Sequence, residues 1–86
     1  MPRVSAFYGI VIAMYYQDHA PPHFHARYGD HEALIDIQAL RILQGWLPRR
    51  ALALVFEWAN LRQSELLSDW SAAASGVPLA PIAPLD

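Results

Sequence analysis

Apolar residues recur in two different rhythms along this chain. Up to residue 46 they come in short runs and strict alternations. From Arg49 onward they return every third or fourth position. Residues 7–16 are rich in aromatic and β-branched side chains, with Ile10, Val11 and Ile12 in sequence. Such a run suits a strand buried on both faces, so a first strand is predicted over residues 8–16. Residues 1–6 then read as a lead-in. Gly9 marks a bulge or a close backbone approach, and residues 17–22 form a loop. Residues 23–28 and 31–37 alternate on either side of Gly29-Asp30, which predicts a hairpin. With that two-residue loop, Tyr28 faces His31, Arg27 faces Glu32, Ala26 faces Ala33, His25 faces Leu34, Phe24 faces Ile35 and His23 faces Asp36. Phe24, Ala26, Ala33 and Ile35 then share a core face. A slip of one residue would turn every side chain to the wrong side.

Residues 38–40 read as a turn without glycine or asparagine, and residues 41–46 as a short last strand with Arg41 opposite Asp36 if the loop holds two residues. Pro48 suits a first helical turn. From there Ala51, Leu52, Val55, Trp58, Ala59, Leu61, Leu66, Trp70 and Ala73 form one helical stripe. A single helix reaching residue 74 is long for so small a domain. The polar stretch at residues 60–65 is where it would kink or split, with Ser64 as the candidate cap. Gly76 ends the helical part. Pro78, Pro81 and Pro84 keep residues 76–86 extended, and the apolar Val77, Leu79, Ile82 and Leu85 predict that this arm lies on the body or on a partner. The expected fold is α+β: a three- to four-stranded antiparallel sheet over residues 7–46, a C-terminal helix over residues 48–75 packed on one face, and a Pro-rich tail, all in one domain.

Composition narrows the function classes. The 86 residues carry a formal charge of −2 and no cysteine. Disulfides and thiolate metal sites are therefore excluded. Every basic side chain except histidine is an arginine, and there is no basic excess of the kind a non-specific nucleic-acid binder carries. Contact with RNA or DNA would have to be local. No apolar run is long enough to span a bilayer and no secretory leader is visible, so a cytoplasmic protein is expected.

Candidate chemistry concentrates at residues 18–28, where three of the 4 histidines fall. Pro21-Pro22 stiffens the approach to a strand. Alternation puts His23, His25 and Arg27 on one face and Phe24, Ala26 and Tyr28 on the other. One reading is acid–base work: Asp36 orients His23, while His25 and Arg27 hold a phosphate. Arg49 and Arg50 at the helix start would draw an anion if the fold brings them round, with His19 and Tyr28 as further substrate contacts. A metal reading uses His23 and His25 with His19 or a carboxylate. A recognition reading uses the aromatic, His and Arg side chains as contact anchors. The bland alternative is an edge strand with polar side chains turned to water.

Phe7-Tyr8-Gly9-Ile10, Asp18-His19-Ala20-Pro21-Pro22-His23-Phe24-His25, Glu32-Ala33-Leu34-Ile35-Asp36-Ile37 and Leu47-Pro48-Arg49-Arg50-Ala51-Leu52 strongly resemble a bacterial family, domain of unknown function 4160. Leu40 departs from it, standing where the family usually has a turn-forming glycine. The resemblance implies the toxin of a toxin–antitoxin module, encoded beside a small antitoxin-like protein of domain of unknown function 2442 type. The His-bearing strand, Gly-Asp turn, second strand and Leu-Pro helix are also similar to the later part of HicA-type messenger-RNA interferases, in which His23 or His25 would match the catalytic histidine. The adopted expectation is a metal-independent ribonuclease toxin without cofactor, using His23, His25, Arg27 and Asp36. Its expected partners are RNA, the co-encoded protein and a second copy of itself. A non-catalytic partner-binding module and a small His-based metal-binding protein are the alternatives.

Overall fold

Tyr8 and Gly9 divide the N-terminal apolar run into two strands. In the computed structural model, which describes residues 2–86, β1 is Arg3–Phe7 and β2 is Ile10–Ala13. Tyr8 (φ 50°) and Gly9 (φ 79°) are both left-handed, and Phe7 pairs directly with Ile10. Two positive φ values are what a tight hairpin turn of the primed type requires. The expected single strand and lead-in are thus replaced by a hairpin. Tyrosine gives no turn signal, so a continuous apolar run concealed it. Met1 of the expected lead-in lies outside the described residues.

β3 (His23–Tyr28) and β4 (His31–Asp36) pair in the expected register, from Tyr28↔His31 to His23↔Asp36. β5 (Ile42–Gly45) completes an open antiparallel sheet in the order β1-β2-β3-β4-β5. Five strands, rather than three or four, make up the meander. The β4–β5 turn is built by Asp36: its Oδ1 accepts the Gln38 and Ala39 N–H groups at 2.8 and 2.9 Å. Leu40 takes the left-handed conformation (φ 52°) in this turn, which has neither glycine nor asparagine. The Asp36 N–H donates to the Arg41 carbonyl at 2.9 Å, in keeping with the expected facing of those two residues.

The helical stripe divides at Arg62 into α1 (Arg49–Leu61) and α2 (Gln63–Ala74). Arg62, not Ser64, occupies the cap position of α2, and neither helix start carries a side-chain cap. α2 closes on Gly76 (φ 72°), with Val77 N–H bonded to the Ala72 carbonyl and Gly76 N–H to that of Ala73. This is the paired pattern of a glycine-terminated helix. Among the described residues no helix is long and apolar enough to cross a membrane.

Ile10, Ile12, Phe24, Ala26, Ala33 and Ile35 line the covered sheet face and meet Val55, Trp58, Ala59 and Leu66. Trp58 stands against Phe7 (ring centroids 5.2 Å) and edge-on to Phe24 (5.8 Å). The tail lies on the body: Ile82 is buried, its N–H bonds the Val4 carbonyl at 2.7 Å, and the Trp58 indole N–H donates to the Ala83 carbonyl at 2.8 Å. The other sheet face, which carries His25 and Arg27, is left to the loop between β2 and β3.

Candidate functional site

That loop decides the chemistry. Residues 14–22 leave β2 and are tied down at both ends. Gln17 N–H bonds the Ala73 carbonyl of α2, and the Pro22 carbonyl accepts the Ile37 N–H. The Ala20–Pro21 bond is cis. The two backbone ties, at Gln17 and Pro22, hold Asp18 beside the start of β3.

Asp18 meets both imidazoles with one oxygen. Its Oδ2 lies 3.1 Å from His23 Nε2 and 3.4 Å from His25 Nε2. Each ring is held by its other nitrogen. His23 Nδ1 sits 2.8 Å from the Pro21 carbonyl oxygen, and His25 Nδ1 sits 2.9 Å from Glu32 Oε2. Flat neighbours restrain the rings further. Trp70 of α2 lies against His23 at 5.2 Å and Tyr15 stands edge-on to His25 at 4.5 Å between centroids. Ala13, with only a methyl group, is the β2 residue opposite His25.

Access to the cluster is graded. The His23 side chain is 6% exposed, that of His25 12% and that of Glu32 42%. With the Asp18 side chain 23% exposed, the cluster is open at its two carboxylates, Asp18 and Glu32, and closed at His23. Partial burial pushes the Asp18 carboxyl up, but the His19 amide, the hydrogen bonds of His25 and His23 and the charge of His23 outweigh it. The carboxyl is held below its ordinary value of 3.8, so Asp18 is an anion at neutral pH.

Of the site residues expected from sequence, His23, His25 and their shared strand face come together. Asp36 faces His23 in the ladder, but its carboxylate is spent on the turn amides, and Asp18 takes the place beside the ring. Glu32 faces Arg27 in register yet reaches diagonally to His25. Arg27 lines a depression of about 340 Å³ with Arg3 on the His25 side of β3. His19 is exposed, and its backbone N–H donates to Asp18 Oδ1 at 2.8 Å. Arg50 and Tyr28 share a separate cavity of about 450 Å³ with Tyr8, Pro48 and Asp86, whose walls include neither imidazole. Arg49 is exposed on the first turn of α1. The helix start is thus not brought round to the histidines, because α1 packs on the opposite face of the sheet.

Sequence reasoning missed Asp18, Glu32, Tyr15 and Trp70 as members of the cluster. Glu32 was within reach of it: the deduced register sets it diagonally across from His25. For Asp18 the signals were its closeness to the double proline and its place in the motif that ends at His25.

Fold and cluster together define a small α+β meander with two imidazoles and two carboxylates gathered on its open face. The family model described as Domain of unknown function (DUF4160) matches residues 9–71, a span that holds every member of the cluster, and the chain belongs to that family. No curated protein and no solved structure matches it.

Proposed function

We propose that the chain is the toxin of a toxin–antitoxin pair and cleaves RNA at the Asp18–His23–His25 cluster. The observation that carries this reading is the meeting of both Nε2 atoms on one Asp18 oxygen. A proton on either Nε2 sits between imidazole and carboxylate, where it can be handed to a leaving group. In cleavage, the 2′-oxygen bonds to phosphorus and the bond to the 5′-oxygen breaks. One imidazole accepts the 2′-hydroxyl proton and the other supplies a proton to the departing 5′-oxygen. His25 is the more accessible ring and is assigned the substrate side. Arg27 and Arg3, in the neighbouring depression, offer guanidinium groups to a phosphate. The antitoxin-like partner is the small co-encoded protein of domain of unknown function 2442 type.

Induced expression in a bacterial host tests the reading. Wild type is expected to arrest growth and fragment RNA, and His25→Ala is expected to relieve both at equal protein level. Harmless wild-type expression would overturn it. A second reading, a non-catalytic module binding that same partner, is favoured by the edge strand β5 with its exposed Leu43 and the adjoining Trp46. In that case the partner co-purifies equally well with His25→Ala and no RNA is cut.

A further inference from the structure

The hydrogen-bonding partners of the two rings fix where their protons sit. The Pro21 carbonyl can only accept, so His23 Nδ1 carries a hydrogen. Glu32 is a well-exposed carboxylate and accepts from His25 Nδ1 in the same way. In their neutral forms both rings therefore present a bare Nε2 lone pair. Both lone pairs are aimed at the same anionic oxygen of Asp18. Lone pairs facing a carboxylate repel one another unless positive charge lies among them.

We propose that this charge is a divalent transition-metal cation held by Asp18 Oδ2, His23 Nε2 and His25 Nε2. The three ligand groups lie within 4.8 Å of one another. Metal–ligand bonds of about 2.0–2.2 Å set neighbouring ligand atoms roughly 3.0–3.5 Å apart. The two distances to Asp18, 3.1 and 3.4 Å, fall in that interval. The outer contacts match as well. Metal-bound imidazoles donate their second N–H to a backbone carbonyl or a carboxylate, which orients the ring. Pro21 and Glu32 supply one of each. Trp70 and Tyr15 restrain the rings from turning away. Two nitrogens and one oxygen, without thiolate, suit Zn²⁺, Fe²⁺, Co²⁺ or Ni²⁺ better than Ca²⁺ or Mg²⁺. Three protein ligands leave a position open for water or an exogenous oxygen. Glu32 is a positioning residue: it touches the ring and not the ion.

This goes beyond the RNA-cleavage reading and does not depend on it. With a cation bound, both Nε2 lone pairs are engaged, so the proton transfers of the RNA-cleavage reading belong to the metal-free chain and the metal-loaded chain holds the imidazoles as ligands. The test is made on the full chain with no RNA present. Metal-free protein is titrated with Zn²⁺ by calorimetry, and with Co²⁺ by its visible absorption, which reports nitrogen and oxygen ligation directly. One ion per chain is expected, together with a raised melting temperature. Asp18→Asn and His25→Ala are expected to abolish binding while keeping the far-ultraviolet circular dichroism of the wild type. Glu32→Gln is expected to weaken binding by roughly 10–100-fold while keeping the Co²⁺ spectrum. Glu32 is largely exposed, so this variant keeps the test sound should a ligand variant fail to fold. No stoichiometric Zn²⁺ or Co²⁺ binding by wild type, or binding indifferent to Glu32→Gln and His25→Ala, would overturn the proposal. Growth arrest without metal binding would sink this inference alone, and metal binding without arrest would sink the toxin reading alone.

Discussion

His23 and Asp36 face each other across the β3–β4 ladder, yet their side chains bond elsewhere. His23 turns to Asp18 and Pro21, while Asp36 turns to the amides of Gln38 and Ala39. Asp36 is therefore a builder of the β4–β5 turn. Removing its carboxylate strands two turn donors in a largely buried place. Asp36→Ala is expected to destabilise the fold by about 1–3 kcal/mol in urea denaturation. Zinc affinity at the imidazoles should be unchanged in the molecules that remain folded. Lost zinc binding with undiminished stability would instead return Asp36 to the side of His23.

Gly45 controls how closely β5 approaches β4. Its φ is +86°, and a Cβ placed there would run into the Glu32 backbone carbonyl. That carbonyl also accepts the Trp46 N–H at 3.0 Å. Gly45→Ala combines an unfavourable left-handed alanine with a backbone clash. We expect a loss of at least about 2 kcal/mol. Glu32 belongs to the displaced segment, so His25 should lose part of its support as well. The imidazole NMR resonances of His25 should shift more than those of His23. A variant as stable as wild type would mean that the β4–β5 register shift, where Leu34 pairs with Gln44 and Ile35 with Ile42, yields freely.

Asp69 makes stability depend on pH. It is buried in α2, with Oδ1 accepting the Ala80 N–H at 2.9 Å and Oδ2 without a partner. Burial raises its carboxyl above the ordinary 3.8, the Ala80 amide opposes the rise, and the charge of Glu65 adds to it. In the unfolded chain the group titrates at its ordinary value. Between that value and the raised one, the folded protein holds more proton than the unfolded one. Stability must then fall as pH rises through this window and level off above it. Asp69→Asn cannot titrate. Its stability relative to wild type should improve as pH climbs from about 4 towards neutrality, whatever the offset at low pH. Urea unfolding of both proteins across that range measures the difference, and a constant difference would rule out the linkage.

Local pattern was enough to read the β3–β4 hairpin residue by residue. Strict alternation on both sides of Gly29-Asp30 allows one register that buries Phe24, Ala26, Ala33 and Ile35 together. The helical stripe and its break near Arg62 were legible for the same reason. The first hairpin was not, because Tyr8 adopts a left-handed conformation that its side chain does not advertise. The site was half legible. Alternation along β3 placed His23 and His25 on one face. The carboxylate that joins them comes from a loop whose path depends on Gln17 bonding to Ala73, a contact that no periodicity encodes. Arg50 and Tyr28 were assigned to the histidines by chemistry alone. The packing of α1 on the far face puts them in a different cavity.

The tail belongs to the core, and truncating it should show this. Ile82 is 4% exposed and pairs with the β1 backbone at Val4, beside the indole contact from Trp58 to Ala83. Ile82→Ala removes a buried side chain and is expected to cost about 2–4 kcal/mol. Trp58→Phe loses the bond to Ala83 as well as ring volume and should also destabilise. Amide exchange at Ile82 should be slow in wild type and fast in Ile82→Ala. Unaltered melting after Ile82→Ala would make residues 76–86 an arm free to serve a partner.

Neighbouring residues Asp18 and His19 divide structure from chemistry most sharply. His19 bonds to Asp18 through its backbone N–H, which donates to Oδ1. His19→Ala keeps that N–H, and therefore keeps the carboxylate where it is. We expect growth arrest and zinc affinity within about twofold of wild type, a change worth less than 0.5 kcal/mol. Asp18→Asn keeps an oxygen for the His19 amide but removes the negative charge that both imidazoles face. Loss of arrest is expected in this variant at wild-type expression and with an intact circular dichroism spectrum. The two positions are adjacent in one loop, so a general disturbance of that loop would affect both variants. Arrest lost in His19→Ala and retained in Asp18→Asn would move the reacting centre out to the exposed ring and away from the cluster.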